Sequence, residues 1–253
     1  MLRVMTAKVV LRTKHRTFHF EIPSLTVDDG EVCTLTGLNG TGKTSVLRLI
    51  SGAISSETGQ VSVSPSMLAV TDIDRQLHHR LHAVDNFHRL SAIFGLPWLA
   101  DSKIKVSLDQ VGLRGLGKQR IGSFSKGQKV RVILALIMAH RPKAIILDEP
   151  TNGLDHEGRS IFYSIVSECR EDGASIIIST HDVDLIREIS SKSYVMINDQ
   201  GHHKCHIAES APELQFKIEL KSGDTVYCSQ RNVVTYLHEN SANIVEITAN
   251  GLM

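Results

Sequence analysis

Apolar and polar positions alternate from the first residues of the chain. Segments 1–11 and 17–27 both carry the two-residue period, and Asp28-Asp29-Gly30 follows as a turn. Both segments are therefore expected to be strands. Residues 31–36 form a short apolar run that leads straight into a glycine-rich loop. The spacing becomes helical over 43–50 and stops at Ser51-Gly52, where a glycine follows the last apolar position. Two short strand-like pieces lie around 60–63 and 67–71.

Residues 72–124 change character. They are rich in His and Leu, with helical spacing in 84–94 and 104–111, and read as a small helical insertion. From Ser125 a regular rhythm returns: helix to Ala139, strand 144–148, helix 157–170, strand 175–179, helix 183–189, strand 193–197. Strands alternating with helices imply a mostly parallel sheet covered on both faces. The near-continuous apolar strands AIILD and SIIIS fit such a buried sheet. The tail, 207–253, returns to short strand patterns (FKIEL, TVYC, IVEIT), with a candidate helix over 232–239.

Composition narrows the class without choosing the chemistry. With 253 residues, 42% hydrophobic and 22% charged, the chain can bury a core without staples. Lys+Arg is 28 against Asp+Glu 27, a net charge of +1. That disfavours a nucleic-acid partner, which calls for a marked basic excess. The longest apolar run is 132–139, far short of the ~20 residues of a membrane helix. The N-terminus has no signal-peptide pattern, so the chain is expected to stay in the cytosol. Cys33, Cys169, Cys205 and Cys228 are widely spread and read as reduced structural thiols. His78, His79 and His82, and the cluster His202, His203, Cys205 and His206, lack a recognised zinc spacing and read as solvated side chains.

Chemistry enters at Gly37-Leu38-Asn39-Gly40-Thr41-Gly42-Lys43-Thr44. This fits G-x-x-x-x-G-K-[ST] in full, between a strand and a helix. Glycines let successive N–H groups curl around phosphate oxygens, and the helix dipole adds positive potential. Lys43 is then expected at the β- and γ-phosphates and the Thr44 hydroxyl on Mg2+. A second element is Asp148-Glu149, two carboxylates at the C-terminal end of an apolar strand, the place where α/β sheets put ligands. Asp148 is expected to hold Mg2+ and Glu149 to polarise the attacking water.

A third element, Phe124-Ser125-Lys126-Gly127-Gln128, lies 20 residues before Asp148 and opens a helix. It resembles the LSGGQ signature of ATP-binding cassette (ABC) proteins, with Phe124 for Leu and Lys126 for the first Gly. Pro150-Thr151-Asn152 and Gly153-Leu154-Asp155 resemble that family's DEPT…GLD run, and Ser179-Thr180-His181-Asp182 resembles its switch histidine. The motifs span about 37–182, and the spacing of the rest is similar to the family from roughly 1 to 200.

The resemblance implies a P-loop ABC ATPase fold. It would have a mostly parallel α/β core, an N-terminal antiparallel β-subdomain and a small helical subdomain at about 72–139. Residues 1–206 would form the nucleotide-binding domain and 207–253 a β-rich appendage. ATP would be held by Gly37, Leu38, Asn39, Gly40, Thr41, Gly42, Lys43, Thr44 and Ser45. Catalysis would fall to Glu149, His181 and Lys43, with Mg2+ on Thr44 and Asp148. Two such domains would pair head to tail, as a homodimer or with a related ATPase. Ser125, Gly127, Gln128 and Asp155 of one would then meet the ATP of the other. The family's glutamine loop maps either to Thr71, at the strand end, or to Gln76, five residues later, and that residue would join the Mg2+ site. The adenine-stacking position maps to His15 or Phe18.

The membrane part would be a separate permease, with this chain cytoplasmic and peripheral on the inner face. The short helical region and FSKGQ resemble simple exporter subunits for drugs, antibiotics or haem. Two alternatives stand beside the transporter reading: a soluble ABC ATPase of the iron–sulfur assembly type, and a module that binds ATP but hydrolyses it weakly. Exposed Leu77, Phe87, Leu96 and Trp98 in a groove formed by 72–99 would favour the transporter reading, and a smooth polar surface there the soluble one. Only 80 residues separate Thr44 from Ser125, too few for the coiled-coil insertion of the chromosome-maintenance relatives.

Overall fold

Strand alternation at the N-terminus produces two long antiparallel partners, β1 (Leu2–Arg12) and β2 (Thr17–Ile22), paired from Ala7↔Ile22 to Arg12↔Thr17. The computed structural model describes residues 2–12, 17–22, 25–37, 39–55, 58–62, 66–199, 202–208, 215–229, 236, 240 and 243–250. They divide into two units: 1–2, 28–31 and 63–176 form the first, and 3–27, 32–62 and 177–253 the second.

The second unit holds β1, β2, β3 (Leu25–Val27), β4 (Val32–Gly37), α1 (Lys43–Ile50) and β5 (Thr58–Ser62). Within it the strand order is β3-β1-β2-β10-β9-β4, with β5 also on β1. Here β9 is Lys192–Asp199 and β10 is His202–Ala208. Strand β4 runs parallel to β9, whereas β9 and β10 are antiparallel. The buried Tyr194 of β9 accepts a hydrogen bond from Thr26 N–H at 3.1 Å and donates to Thr26 O at 2.9 Å, which fastens β3. Strands β11 (Gln215–Leu220), β12 (Thr225–Ser229) and β13 (Ile244–Asn250) form a separate antiparallel sheet in the order β12-β11-β13.

The first unit pairs β6 (Met67–Val70) and β7 (Ala144–Asp148) in parallel. Its helices are α2 (Ile73–Gln76), α3 (Ala83–Ile93), α4 (Asp101–Gln110), α5 (Lys126–His140) and α6 (His156–Glu171), with a short 3-10 turn at Ile121–Ser123. Helix α5 packs against α3, α4 and α6. It is buried without interruption from Val130 to Ile137, as expected of a helix enclosed on all sides. The chain passes into the second unit along β8 (Ser175–Ser179) and continues into α7 (Val183–Ile189). The fold is mixed α/β with a parallel core, a separate antiparallel sheet and a helical region, as expected.

One expectation changes. Segment 17–27 is not one strand but β2 and β3. Pro23 lies between them, and a proline has no N–H to give to a ladder. The exposed apolar groove that would favour the transporter reading does not form from Leu77, Phe87, Leu96 and Trp98. Leu77, Phe87 and Leu96 are buried, and only Trp98, 72% exposed, reaches solvent. Helix α3 turns its apolar stripe inward, and full burial of a side chain such as Phe87 stabilises the fold by about 1.5–3 kcal/mol. Cys33, Cys169 and Cys228 are buried and form no disulfide. Most of the candidate helix at 232–239 lies outside the described residues, as do the side chains of His202, His203, Cys205 and His206. Among the described residues no helix is long and apolar enough to cross a membrane.

Candidate active site

The glycine-rich loop lies in the second unit, between β4 and α1. Gly37, Gly40 and Gly42 have φ of 138°, 82° and 102°, which side-chain-bearing residues adopt at a cost. At Gly37 a Cβ would also collide with Met196 O on the neighbouring strand. Lys43 is 8% exposed and its Nζ donates to Gly37 O at 2.8 Å, and Thr41 is buried as well. Helix α1 begins at Gly42 with no side-chain cap and no acidic residue in its first turn. Helices α2, α5, α6 and α7 are each capped by a side chain. The start of α1 therefore keeps the positive potential that suits a phosphate. Leu38 and His15 lie outside the described residues. Phe18 sits in β2 opposite Leu11, with its side chain outside them.

His181 belongs to the same unit, at the exposed turn between β8 and α7. Thr180 N–H donates to Leu35 O of β4 at 3.1 Å, which anchors this turn beside the strand feeding the glycine loop. Asp182 then caps α7 by accepting from the N–H groups of Asp184 and Leu185.

In the first unit, β7 delivers Asp148 and Glu149, both half-buried. Glu149 takes φ 48°, a left-handed conformation that costs a non-glycine residue on the order of 1–3 kcal/mol. The chain turns sharply there, and Asn152 N–H reaches back to Glu149 O at 3.2 Å. The signature-like loop approaches this turn closely. A Cβ on Gly127 would collide with Gly153 O, and one on Gly153 would meet the Lys126 side chain at 3.2–3.3 Å. Phe124 is buried, and Ser125 caps α5 by accepting from Gln128 N–H at 3.2 Å. The Gln128 amide oxygen accepts from Ser125 N–H at 2.9 Å, closing a capping box.

Asp155 caps α6 by accepting from Gly158 N–H at 2.8 Å and pairs with Arg131 at 2.7 Å. The Gly158 hydrogen bond and then the Arg131 guanidinium hold its carboxyl below the usual carboxylate range. Gln76 uses its amide on the backbone of the strand end. Its Oε1 accepts from Thr71 N–H at 3.0 Å and Asp72 N–H at 3.2 Å, and its Nε2 donates to Ala69 O at 2.8 Å. Thr71, half-buried, is the residue left at the end of β6.

Two organising residues escaped the sequence reading. Asn86 is fully buried and bonds His78, Leu81 and His82 of the preceding loop through its amide. Arg131 is a buried cation inside the apolar run of α5. A lone arginine in KVRVILALIMA was the available signal, since a charge is rarely buried unless it is paired.

Comparison with known proteins adds independent findings. The family described as "ABC transporter" matches residues 20–152. The "Zinc import ATP-binding protein ZnuC 2" of Hahella chejuensis is 33% identical over 212 residues, covering 82% of this chain and 82% of that protein. The "Lantibiotic transport ATP-binding protein SrtF" of Streptococcus pyogenes is 29% identical over 175 residues, covering 66% and 75%. A solved structure described as "Dimeric Structure of MJ0796, a Bacterial ABC Transporter Cassette" superposes with a TM-score of 0.68 at 18% identity, covering 77% of this chain and 94% of that one. At that identity the last likeness concerns the fold.

Proposed function

Because the chain belongs to the ABC transporter ATP-binding family and is an ATPase subunit of that family, we propose that it pairs on ATP and drives a separate membrane permease. The observation that carries this reading is the full set of motifs on one chain: 37–45, 125–128, Asp148-Glu149, Asp155 and His181. The residues suit the ligand. Three left-handed glycines and an uncapped helix start offer main-chain donors to phosphates. The Thr44 hydroxyl and the Asp148 carboxylate are hard oxygen donors of the kind Mg2+ takes. Bound Mg2+ would neutralise charge on the phosphates as the terminal bond breaks. Lys43 would hold the phosphates, Glu149 would polarise the water, and His181 would contact the γ-phosphate. Thr71 takes the glutamine-loop position, a reading supported by the commitment of the Gln76 amide to backbone groups. Residues 1–206 carry the cassette, and 207–253 form an appendage.

The partner copy, the same chain or a related ATPase, would present Ser125, Gly127, Gln128 and Asp155 to the nucleotide. The assembly would sit on the cytoplasmic face of the membrane. We favour export, on the FSKGQ sequence and the absence of a glutamine at the end of β6. Likeness to the lantibiotic transport protein is in keeping with that direction, whereas likeness to the zinc import protein favours uptake. The test is to purify the chain with its membrane partner and reconstitute both in vesicles. Hydrolysis should rise several-fold with the partner, and substrate should move away from the ATPase side. Movement toward that side would reverse the direction, and hydrolysis indifferent to any membrane protein would favour the soluble alternative.

A further inference from the structure

Arg131 is the one charged residue in the buried stretch of α5, and its side chain is 9% exposed. Its guanidinium has acceptors on two other segments. Nη2 donates to Asp155 Oδ1 at 2.7 Å and to Glu157 Oε2 at 3.0 Å, at the start of α6. Nη1 donates to Val111 O at 3.0 Å, at the end of α4. Gly112, at φ 78°, leaves the space, because a Cβ there would collide with Nη1. Burial opposes the charge, but the two carboxylates outweigh it and hold the guanidinium pKa above its ordinary value. The guanidinium is buried but Asp155 and Glu157 are 68% and 73% exposed, so the contact adds little stability and is better suited to fixing one arrangement.

A second observation concerns the same two segments. Gly127, one turn before Arg131, touches Gly153, two residues before Asp155, so closely that neither position has room for a larger residue. Backbone contact sets the near approach of the 125–128 loop to the 149–155 turn. The fork of Arg131 resists their sliding or parting.

We infer that Arg131 is a positioning residue of the ATPase reaction, which holds the 125–128 loop and Asp155 in one fixed arrangement. This rests on the reading that both face the nucleotide of a partner copy. Lys129, the other basic residue of this turn of α5, makes a different link. Its Nζ reaches Asp74 of α2 at 2.7 Å, one carboxylate on one helix instead of two acceptor segments. A single pair restrains less than a fork between two carboxylates.

The experiment compares Arg131→Met, Arg131→Lys and Glu157→Gln with wild type for ATP turnover, KM and amide exchange. Methionine keeps much of the volume without the charge. Arg131→Met should fold, keep KM for ATP within about twofold and lower kcat about tenfold or more. Exchange of the amides at 125–128 and 150–155 should rise. Arg131→Lys should recover part of kcat, and Glu157→Gln should lower it about two- to fivefold. In Arg131→Lys/Glu157→Gln the losses in kcat should be non-additive. If Arg131→Met does not fold, the Lys and Gln variants carry the same test. Unchanged kcat in these variants, with an active wild type, would overturn the inference and leave the ATPase reading intact. Unchanged exchange at both segments would overturn it whatever the turnover. A wild type without ATP hydrolysis would sink the ATPase reading instead.

Discussion

The glycine loop at 37–44 and the corner at 125–155 are both built around close backbone approach, yet they are held by opposite means. The loop is shaped largely by main chain: Lys43 reaches Gly37 O, six residues away, glycines set the curl, and Gly37 lies close against Met196 O. The corner is held by side chains from afar. Arg131 reaches across 24 residues to Asp155, 26 to Glu157 and 20 to Val111. A local motif thus carries its own geometry, whereas a motif split over two helices needs a separate residue to hold its parts together.

That contrast can be broken at either end. The largest effect is expected at Gly37→Ala, where a positive φ and a blocked Cβ coincide. Strain and overpacking together should cost about 2–6 kcal/mol, read as a fall in denaturation midpoint with loss of nucleotide binding. Lys43→Ala should weaken ATP affinity about 10- to 100-fold, the worth of one hydrogen bond to a charged group, as read by calorimetric titration. Unchanged affinity would sink the phosphate-cradle reading.

Asp155→Asn probes the corner through pH. The folded-state carboxyl lies below its usual range, chiefly through Gly158 N–H and then Arg131. Such a group lends stability above its unfolded pKa of about 3.9 and withdraws it as pH falls through the folded value. Wild type should therefore melt above Asp155→Asn at pH 7, and the gap should close in acid. A gap independent of pH would mean that the carboxylate charge is not what matters. The smallest effect is expected at Lys129→Ala, about 0–1 kcal/mol for a pair with one exposed partner, and it should shrink further in high salt.

Much of the fold was legible because its signals are local. Helix α1 and strands β7 and β8 occupy the ranges that their apolar spacing marks, and Ser125 caps α5 where the pattern restarts. Misses arose where distant packing decides. Leu77, Phe87 and Leu96 look alike in sequence whether they line a groove or fill a core, and only the fold of the helical region shows that they fill it. The choice between Thr71 and Gln76 is open in the sequence, which does not show that the Gln76 amide bonds Ala69, Thr71 and Asp72 of its own segment. The candidate site divides in the same way. The glycine loop, the paired carboxylates and His181 announce themselves by residue type and spacing. Arg131 and Asn86 do not, because their partners lie on other elements or are backbone groups.

Turnover by an ATP-bound pair is the central claim, and Glu149→Gln tests it most directly. This variant removes the carboxylate proposed to polarise water and keeps the shape of the strained turn at φ 48°. The mass of purified Glu149→Gln, measured by light scattering with and without ATP and Mg2+, should double when ATP is added, while hydrolysis falls by two orders of magnitude or more. Hydrolysis near the wild-type rate would contradict the account, and a monomer at saturating ATP would contradict pairing of two copies of this chain.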